Sequence, residues 1–411
     1  MRIVIAMDSF KGSLSAEVSC RAVAEGLRQG MAQVSTVCYP MADGGEGTVA
    51  CMVSGGRGKT LCRTVFGPFG DLIKADFGIL DDGKTGVVET ASASGIAGLR
   101  PEILDPLQAT TYGTGQLILS ALEAGCRRVI VGLGGSATND GGMGALQALG
   151  IRFYAEDGTL LGWGGREMER VAHIDCSRRN ALLEEAELLL ACDVTNPFFG
   201  PEGAAFVFAP QKGASPQMTE RLDLGLRNLA FRYREAFGTD VSELPGSGAA
   251  GGLCGGLVAG CGGIIYGGFD IIAETVGLVS AVSDCDFVIT GEGKTDGQTR
   301  FGKLPYRVGE LAARSGVPCI CVSGGVVPEA ANLYACGVTC LFDTTLLPMS
   351  VSDAMDRGEA SLRFVSQNIG RLLSVQKKMI LIFLTFMHIF YLFFLAEICY
   401  TYLIKYMEGQ K

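Results

Sequence analysis

Short apolar runs alternate with amphipathic helical stretches along most of this chain, and nearly every apolar run ends in glycine and small polar residues. Strand-like runs begin at Ile3, Val129, Leu188, Phe287, Ile320 and Leu341. RIVIAM leads through DSFKGS into a helix expected from about Leu14 to Gln29, with Val18, Ala22 and Leu27 on one side and Gly30 as its stop. LILSALEAG and a long segment from about Gln217 to Phe237 are further helices. This rhythm is that of βα units around a largely parallel sheet. Between Thr60 and Thr90 the pattern changes: LCRTVF, LIKADFGIL and TGVVET are separated by GPFGD and DDGK, which predicts antiparallel hairpins.

The pattern predicts an α/β protein with two α/β domains. A parallel-sheet, three-layer domain is built from both chain ends, residues 1–60 plus 285–375, and a mixed α/β domain, 61–284, is inserted in it. Ligands of open parallel sheets bind beyond the carboxyl ends of the strands. The polar strand ends should therefore gather in a cleft between the domains.

Composition narrows the partner. The net charge is −9, and no basic patch with interleaved aromatics occurs, which excludes nucleic acid and favours a small molecule. The 59 glycines show no collagen-like period and imply many turns and close backbone approaches. Most of the 15 cysteines sit singly in apolar segments, as buried thiols of a reducing, cytoplasmic compartment. With two histidines and no CxxC pair, zinc and His-based nucleophilic catalysis are poorly supported. No secretory signal precedes the first strand.

The strongest chemical signal is RVIVGLGGSATNDGGMG, Arg128 to Gly144. A strand empties into a loop of glycines and hydroxyls, followed by an apolar helical run. Backbone N–H groups, the helix N-terminus and the side chains of Ser136, Thr138 and Asn139 suit a phosphate, although a tight strand-to-helix turn would use the same residues. Asp140 would repel a phosphate unless a cation bridges them, which points to Mg²⁺ with a nucleotide. A formal P-loop match, GILDDGKT at Gly78 to Thr85, carries Asp81 and Asp82 where a triphosphate would sit. A turn between two strands explains it better.

Four further strand ends carry chemistry. DSFKGS offers Asp8, Ser9 and Lys11, with Ser13 or Ser15 also able to cap the helix. ADGGEG brings Asp43 and Glu46 together, for Mg²⁺, for a substrate hydroxyl, or with Asp43 as a helix cap. CDVTNP places Asp193 at an expectedly buried strand end as general base or metal ligand, with Asn196 in the turn. GEGKTDG combines Glu292, Lys294 and Asp296 in a loop of mixed sign.

Taken in order, DSFKGSLSA, MADGGEGT, GLGGSATNDGG, ACDVTNP, APQKGAS, GSGAAGG and ITGEGKTDGQTRFGK resemble the bacterial glycerate kinases of the type-1 family over residues 1 to about 375. The resemblance implies ATP-dependent phosphorylation of D-glycerate, commonly to 2-phosphoglycerate, in organic-acid catabolism, with the active site between two α/β domains. On that reading Gly134, Gly135, Ser136, Thr138, Asn139 and Lys294 hold the nucleotide, and Asp140, Glu292 and Asp296 hold Mg²⁺. Lys11 and Lys212 neutralise phosphate, Asp193 takes the glycerate hydroxyl proton, and Asp43 joins the catalytic set. Ser9, Glu46, Asn196, Arg300 and Lys303 serve the substrate, with Arg300, Lys303 and Lys294 as unranked candidates for its carboxylate. The residues alone leave open a kinase of another small hydroxy acid, or a membrane-tethered nucleotide sensor.

Past Val375 the composition changes abruptly. QKKMILIFLTFMHIFYLFFLAEICYTYLIKYMEGQK has no formal charge from Met379 to Ala396 and reaches Ile404 only across Glu397. Residues 376–411 form an extension outside the family pattern, either an anchor through 379–404 or an accidental addition.

Overall fold

The computed structural model describes residues 1–42, 45, 47–300, 302–375 and 387. Its strands form two larger sheets and one two-stranded ribbon. In chain order they are β1 (Arg2–Met7), β2 (Ser35–Pro40), β3 (Gly58–Phe66), β4 (Leu72–Leu80), β5 (Thr85–Glu89), β6 (Arg128–Gly132), β7 (Arg152–Tyr154), β8 (His173–Asp175), β9 (Glu187–Ala191), β10 (Ile264–Tyr266), β11 (Phe287–Gly291), β12 (Cys319–Ser323) and β13 (Val338–Asp343). The first sheet runs β13-β12-β11-β1-β2, all parallel. The second runs β10-β9-β6-β5-β4-β3 and is mixed: β5, β6, β9 and β10 are parallel, and β3 and β4 are antiparallel additions. Every expected strand is present, including the three hairpin strands.

Side-chain alternation turns these sheets into layers. In the first sheet Ile3, Ile5, Met7, Ile289 and Val322 face the helix Ala16–Gly30 and a second helix over 358–375, which contributes Leu362, Val365, Ile369 and Leu373. Val4, Ala6, Val288, Cys319 and Cys321 face the other way. There they share one apolar cluster with Val87, Ile130, Leu189 and Ala191 of the second sheet, across the helices Thr48–Val53, Gly268–Thr275, Leu278–Ser283 and Leu304–Arg314. The opposite face of the second sheet, Val88, Val129, Val131, Leu188 and Leu190, packs on Tyr112–Glu123, Met143–Ala148, Pro216–Phe237 and Leu253–Cys261. Both faces of the central parallel strands β1, β5, β6, β9, β11 and β12 are buried, which is why they read as continuous apolar runs, whereas the edge strands β2, β10 and β13 are partly exposed.

The formal P-loop match is the β4–β5 turn. Asp82 accepts the N–H groups of Lys84 and Thr85, each at 2.8 Å, and the Thr85 hydroxyl at 2.6 Å. The aspartate that would repel a triphosphate thus folds the turn, and it occupies the hydroxyl that a P-loop would lend to a metal.

Candidate active site

At the carboxyl edge of the first sheet three loops lie against one another. β1 ends in Asp8, whose N–H donates to the Gly291 carbonyl at 3.0 Å and whose carboxylate accepts the Ser9 N–H at 2.6 Å. The chain then turns from Phe10 to Leu14, and the helix begins only after Ser15, which caps it by accepting the Val18 N–H at 3.2 Å. Lys11 therefore sits on an exposed turn ahead of the helix. β11 ends in Gly291 and Glu292, and the Gly324 N–H after β12 donates to the Glu292 carbonyl at 3.1 Å.

Glu292 is the buried anchor of that edge. Its carboxylate accepts the Thr299 hydroxyl at 2.7 Å and the Thr295 hydroxyl at 3.3 Å. Lys303 Nζ lies 3.6 Å from Glu292 and 3.7 Å from Asp296, and Lys294 Nζ lies 3.5 Å from Asp296. Burial raises the Glu292 pKa, against the opposing pull of Thr299 and Lys303. Asp296 is lowered, chiefly by the Gln298 N–H it accepts. Two carboxylates and two ammoniums thus converge on one turn, with Arg300 exposed beside them.

At the carboxyl edge of the second sheet, β6 opens into the glycine loop. Leu133 N–H donates to the Ala191 carbonyl at 3.4 Å, and the loop is pinned to the segment after β5 by Ile96 N–H to Gly135 at 2.9 Å and Ala137 N–H to Ser94 at 2.8 Å. The N–H groups of Gly134 and Gly135 donate to no acceptor among the described residues. Gly251 presses on the loop from behind: a Cβ there would stand 2.1 Å from the Thr138 carbonyl. Lys212 also reaches the loop, with Nζ donating to Ser136 Oγ at 2.8 Å and to the Thr138 carbonyl at 2.7 Å.

The helix N-terminus after this loop is already occupied by an anion of the protein's own. Asp140 is fully buried, and its carboxylate accepts the N–H groups of Gly142 at 3.1 Å, Gly144 at 3.2 Å and Thr111 at 2.8 Å, together with the Thr111 hydroxyl at 2.9 Å. Its oxygens are consumed inside the protein, so the geometry does not offer Asp140 to a metal. The N–H groups of Gly142 and Gly144 at the start of Met143–Ala148 are taken by Asp140, and anion binding by this loop has to use the groups ahead of it, from Gly134 to Asn139. The side chains of Thr138 and Asn139 are buried, and Thr138 Oγ1 and both Asn139 amide atoms have no hydrogen-bond partner among the described residues.

Two other candidates sit differently from the expectation. Asp193 is exposed, not buried, and one of its oxygens accepts the Gly268 N–H at 2.7 Å, at the start of Gly268–Thr275. Asn196 spends its amide on the Glu202 carbonyl at 2.8 Å, which closes the turn after β9. Asp43 and Glu46 lie outside the described residues.

Glu89, which motif reading passes over, joins the two edges. It ends β5 with its side chain buried, and its carboxylate accepts the N–H of Val49 and, at 3.3 Å, that of Gly47, both beyond β2 of the other sheet. The rule that singles out Asp8, an acid closing a buried apolar run, applies equally to VVET.

Fold and site together define an α/β enzyme whose acids, ammoniums and glycine loop gather at the carboxyl edges of two linked sheets. The family model for the glycerate kinase family matches residues 3–374. A glycerate kinase of Halalkalibacterium halodurans is 40% identical over 368 residues, covering 90% of this chain and 97% of that protein. A glycerate 2-kinase of Escherichia coli is 39% identical over 375 residues, covering 91% and 98%. The crystal structure of a protein described as glycerate kinase 2 from Salmonella typhimurium LT2 superposes with a TM-score of 0.84 at 39% identity, over 92% of this chain and 99% of that one. The chain belongs to the glycerate kinase family, and it is an enzyme of that class. Among the described residues no helix is long and apolar enough to cross a membrane. The extension 376–411, with the anchor expected through 379–404, lies outside the described residues apart from Met387.

Proposed function

We propose that the enzyme transfers the γ-phosphoryl group of ATP to the 2-hydroxyl of D-glycerate, with Mg²⁺, in the catabolism of organic acids. The observation that carries this reading is the link between the two sheets at their carboxyl edges, where the Glu89 carboxylate at the end of β5 accepts the N–H groups of Gly47 and Val49 beyond β2. Phosphoryl transfer asks for such positioning and charge neutralisation more than for covalent chemistry.

Mg²⁺ in kinase sites takes one or two carboxylates and completes its shell with phosphate and water oxygens. Glu292 and Asp296, both within 3.7 Å of Lys303 Nζ, fit that demand, and the metal would neutralise charge on the transferring phosphate. Gly134, Gly135 and Ser136 are assigned to the nucleotide phosphates, together with Lys294, which lies beside Asp296. Thr138 and Asn139 supply buried polar atoms that a ligand or ordered water would satisfy. Lys11, exposed next to Asp8 and Ser9, is suited to the transferring phosphate. Asp193 is exposed at a strand end and is assigned the glycerate hydroxyl proton. Arg300 and Lys303, on the same turn as Glu292 and Asp296, are assigned to the glycerate carboxylate. The described cysteines are all free thiols, which suits a reducing cytoplasm.

Release of ADP from ATP on addition of D-glycerate tests the reaction. Enolase added alone then consumes the product if it is 2-phosphoglycerate and leaves 3-phosphoglycerate untouched. Absence of glycerate-dependent ADP release overturns the proposal, and an Asp193→Asn enzyme with wild-type turnover overturns that residue's assignment.

A further inference from the structure

Lys212 reaches the glycine loop from the single-turn helix Pro210–Lys212, more than seventy residues further along the chain, and is only 3% exposed. Desolvating an ammonium is costly unless a countercharge or hydrogen bonds offset it. Here the bonds go to two neutral acceptors, the Ser136 hydroxyl oxygen and the Thr138 carbonyl. No carboxylate stands within ion-pair distance among the described residues, because Asp140, the acid whose field reaches Lys212, is turned to Thr111, Gly142 and Gly144. Burial pulls the pKa of Lys212 from 10.5 down to about 7. Packing alone gives no reason to keep a lysine in such a place, since a methionine would fill the same volume without the cost.

Resting on the nucleotide reading of the loop, we propose that Lys212 is a positioning residue of phosphoryl transfer, which aims the donors of the Gly134–Asn139 loop at the phosphate. A hydroxyl oxygen that accepts from an ammonium directs its own proton elsewhere, so Ser136 becomes an outward donor. In the trans peptide that joins Thr138 to Asn139, the carbonyl drawn inward by Lys212 sends the Asn139 N–H the opposite way. The buried Lys212 amine thereby fixes two donors of the loop, and when protonated it adds positive charge at the phosphate site, where preorganised donors act most strongly.

The test is steady-state kinetics of the full chain carrying K212M, S136A or both, with each substrate varied in turn. Loss of an aimed donor costs about 10²–10³ in turnover at comparable sites. We expect K212M to lower kcat/KM for ATP by about 100-fold with KM for glycerate unchanged, and S136A to lower it by about tenfold. Because Lys212 acts through Ser136, the double variant should be no worse than about twofold below K212M, whereas independent sites would multiply. Wild-type ATP kinetics in K212M, a multiplicative double variant, or an equal loss for both substrates overturns the proposal. If K212M does not fold, S136A decides: wild-type ATP kinetics there overturn the proposal as well. A wild-type chain that releases no ADP overturns the nucleotide reading itself, which is a different result from ATP turnover that ignores Lys212.

Discussion

The Asp140 carboxylate accepts the backbone N–H of Gly144, so the anion at the head of the helix Met143–Ala148 belongs to the protein. Glycine at 144 is required for this, because a Cβ there would lie 2.2 Å from Thr110 Oγ1 and 2.8 Å from the Asp140 carboxylate. The relationship turns an expected metal ligand into the brace that shapes the loop. Asp140→Ala would leave the N–H groups of Thr111, Gly142 and Gly144 buried without an acceptor, each costing about 1–3 kcal/mol. We expect a loss of at least about 3 kcal/mol in urea unfolding. Unchanged stability with abolished turnover would return Asp140 to the metal.

Glu89 is the corresponding brace between the sheets. Glu89→Gln keeps the shape but replaces one accepting oxygen by a donor that faces the N–H of Gly47 or Val49. A hydrogen bond to a charged group is worth about 1.5–3 kcal/mol, so kcat/KM for glycerate should fall by about tenfold or more. KM for ATP should hold, since the glycine loop is pinned separately through Ser94 and Ile96. Equal loss toward both substrates would show that Glu89 stabilises the whole site and not the segment after β2.

The pH dependence of turnover should carry the mark of Glu292. Burial holds its proton to higher pH than an ordinary glutamate, and the assigned metal role needs the carboxylate, so the acid limb of kcat/KM for Mg·ATP should lie above the usual range. The Thr299 hydroxyl, at 2.7 Å, pulls the pKa the other way. Thr299→Val removes that pull and should move the limb to still higher pH. A limb that stays put or moves down separates Glu292 from the titration.

Lys212 makes an opposite mark on stability. The unfolded chain keeps this proton up to about 10.5 and the fold only to about 7. Between those values the unfolded state binds more protons, so this residue makes stability rise with pH, and its cost is fully present below the folded value. Thermal unfolding of wild type and K212M at pH 6 and pH 9 should show the difference shifting toward the variant at the lower pH. A pH-independent difference would mean that Lys212 is protonated in both states throughout.

Strand ends were the legible part of the site. The central apolar runs of β1, β6 and β11 are buried on both faces, and the residues that stop them are forced to the carboxyl edge, so Asp8, Glu292 and the loop after Gly132 follow from pattern alone. Which acid faces a ligand and which faces the protein does not follow. Asp140 and Asp193 both lie in loops that leave a strand, yet the first is buried and accepts from Thr111, Gly142 and Gly144 while the second is exposed and accepts from Gly268, because that depends on which distant segment packs opposite. Lys212 illustrates the same limit. APQKGAS names a lysine, but its burial against Ser136 is a contact between residues 76 positions apart, and no local spacing encodes it.

The segment beyond Val375 can be tested against the core in front of it. Helix 358–375 buries Leu362, Val365, Ile369 and Leu373 against the outer face of β1 and the helix Ala16–Gly30, and each such side chain is worth about 1.5–3 kcal/mol. A chain ending at Asp356 loses all four, a sum that rivals the stability of an entire domain, and should fail to fold. A chain ending at Val375 keeps them, and the family match stops at residue 374. Its melting temperature and its glycerate-dependent turnover should equal those of the full chain in detergent-free buffer. If the shorter chain is instead destabilised or inactive, residues 376–411 are part of the working enzyme. Should it match in both measurements while only the longer chain sediments with membranes, the extension acts as an anchor on a complete enzyme.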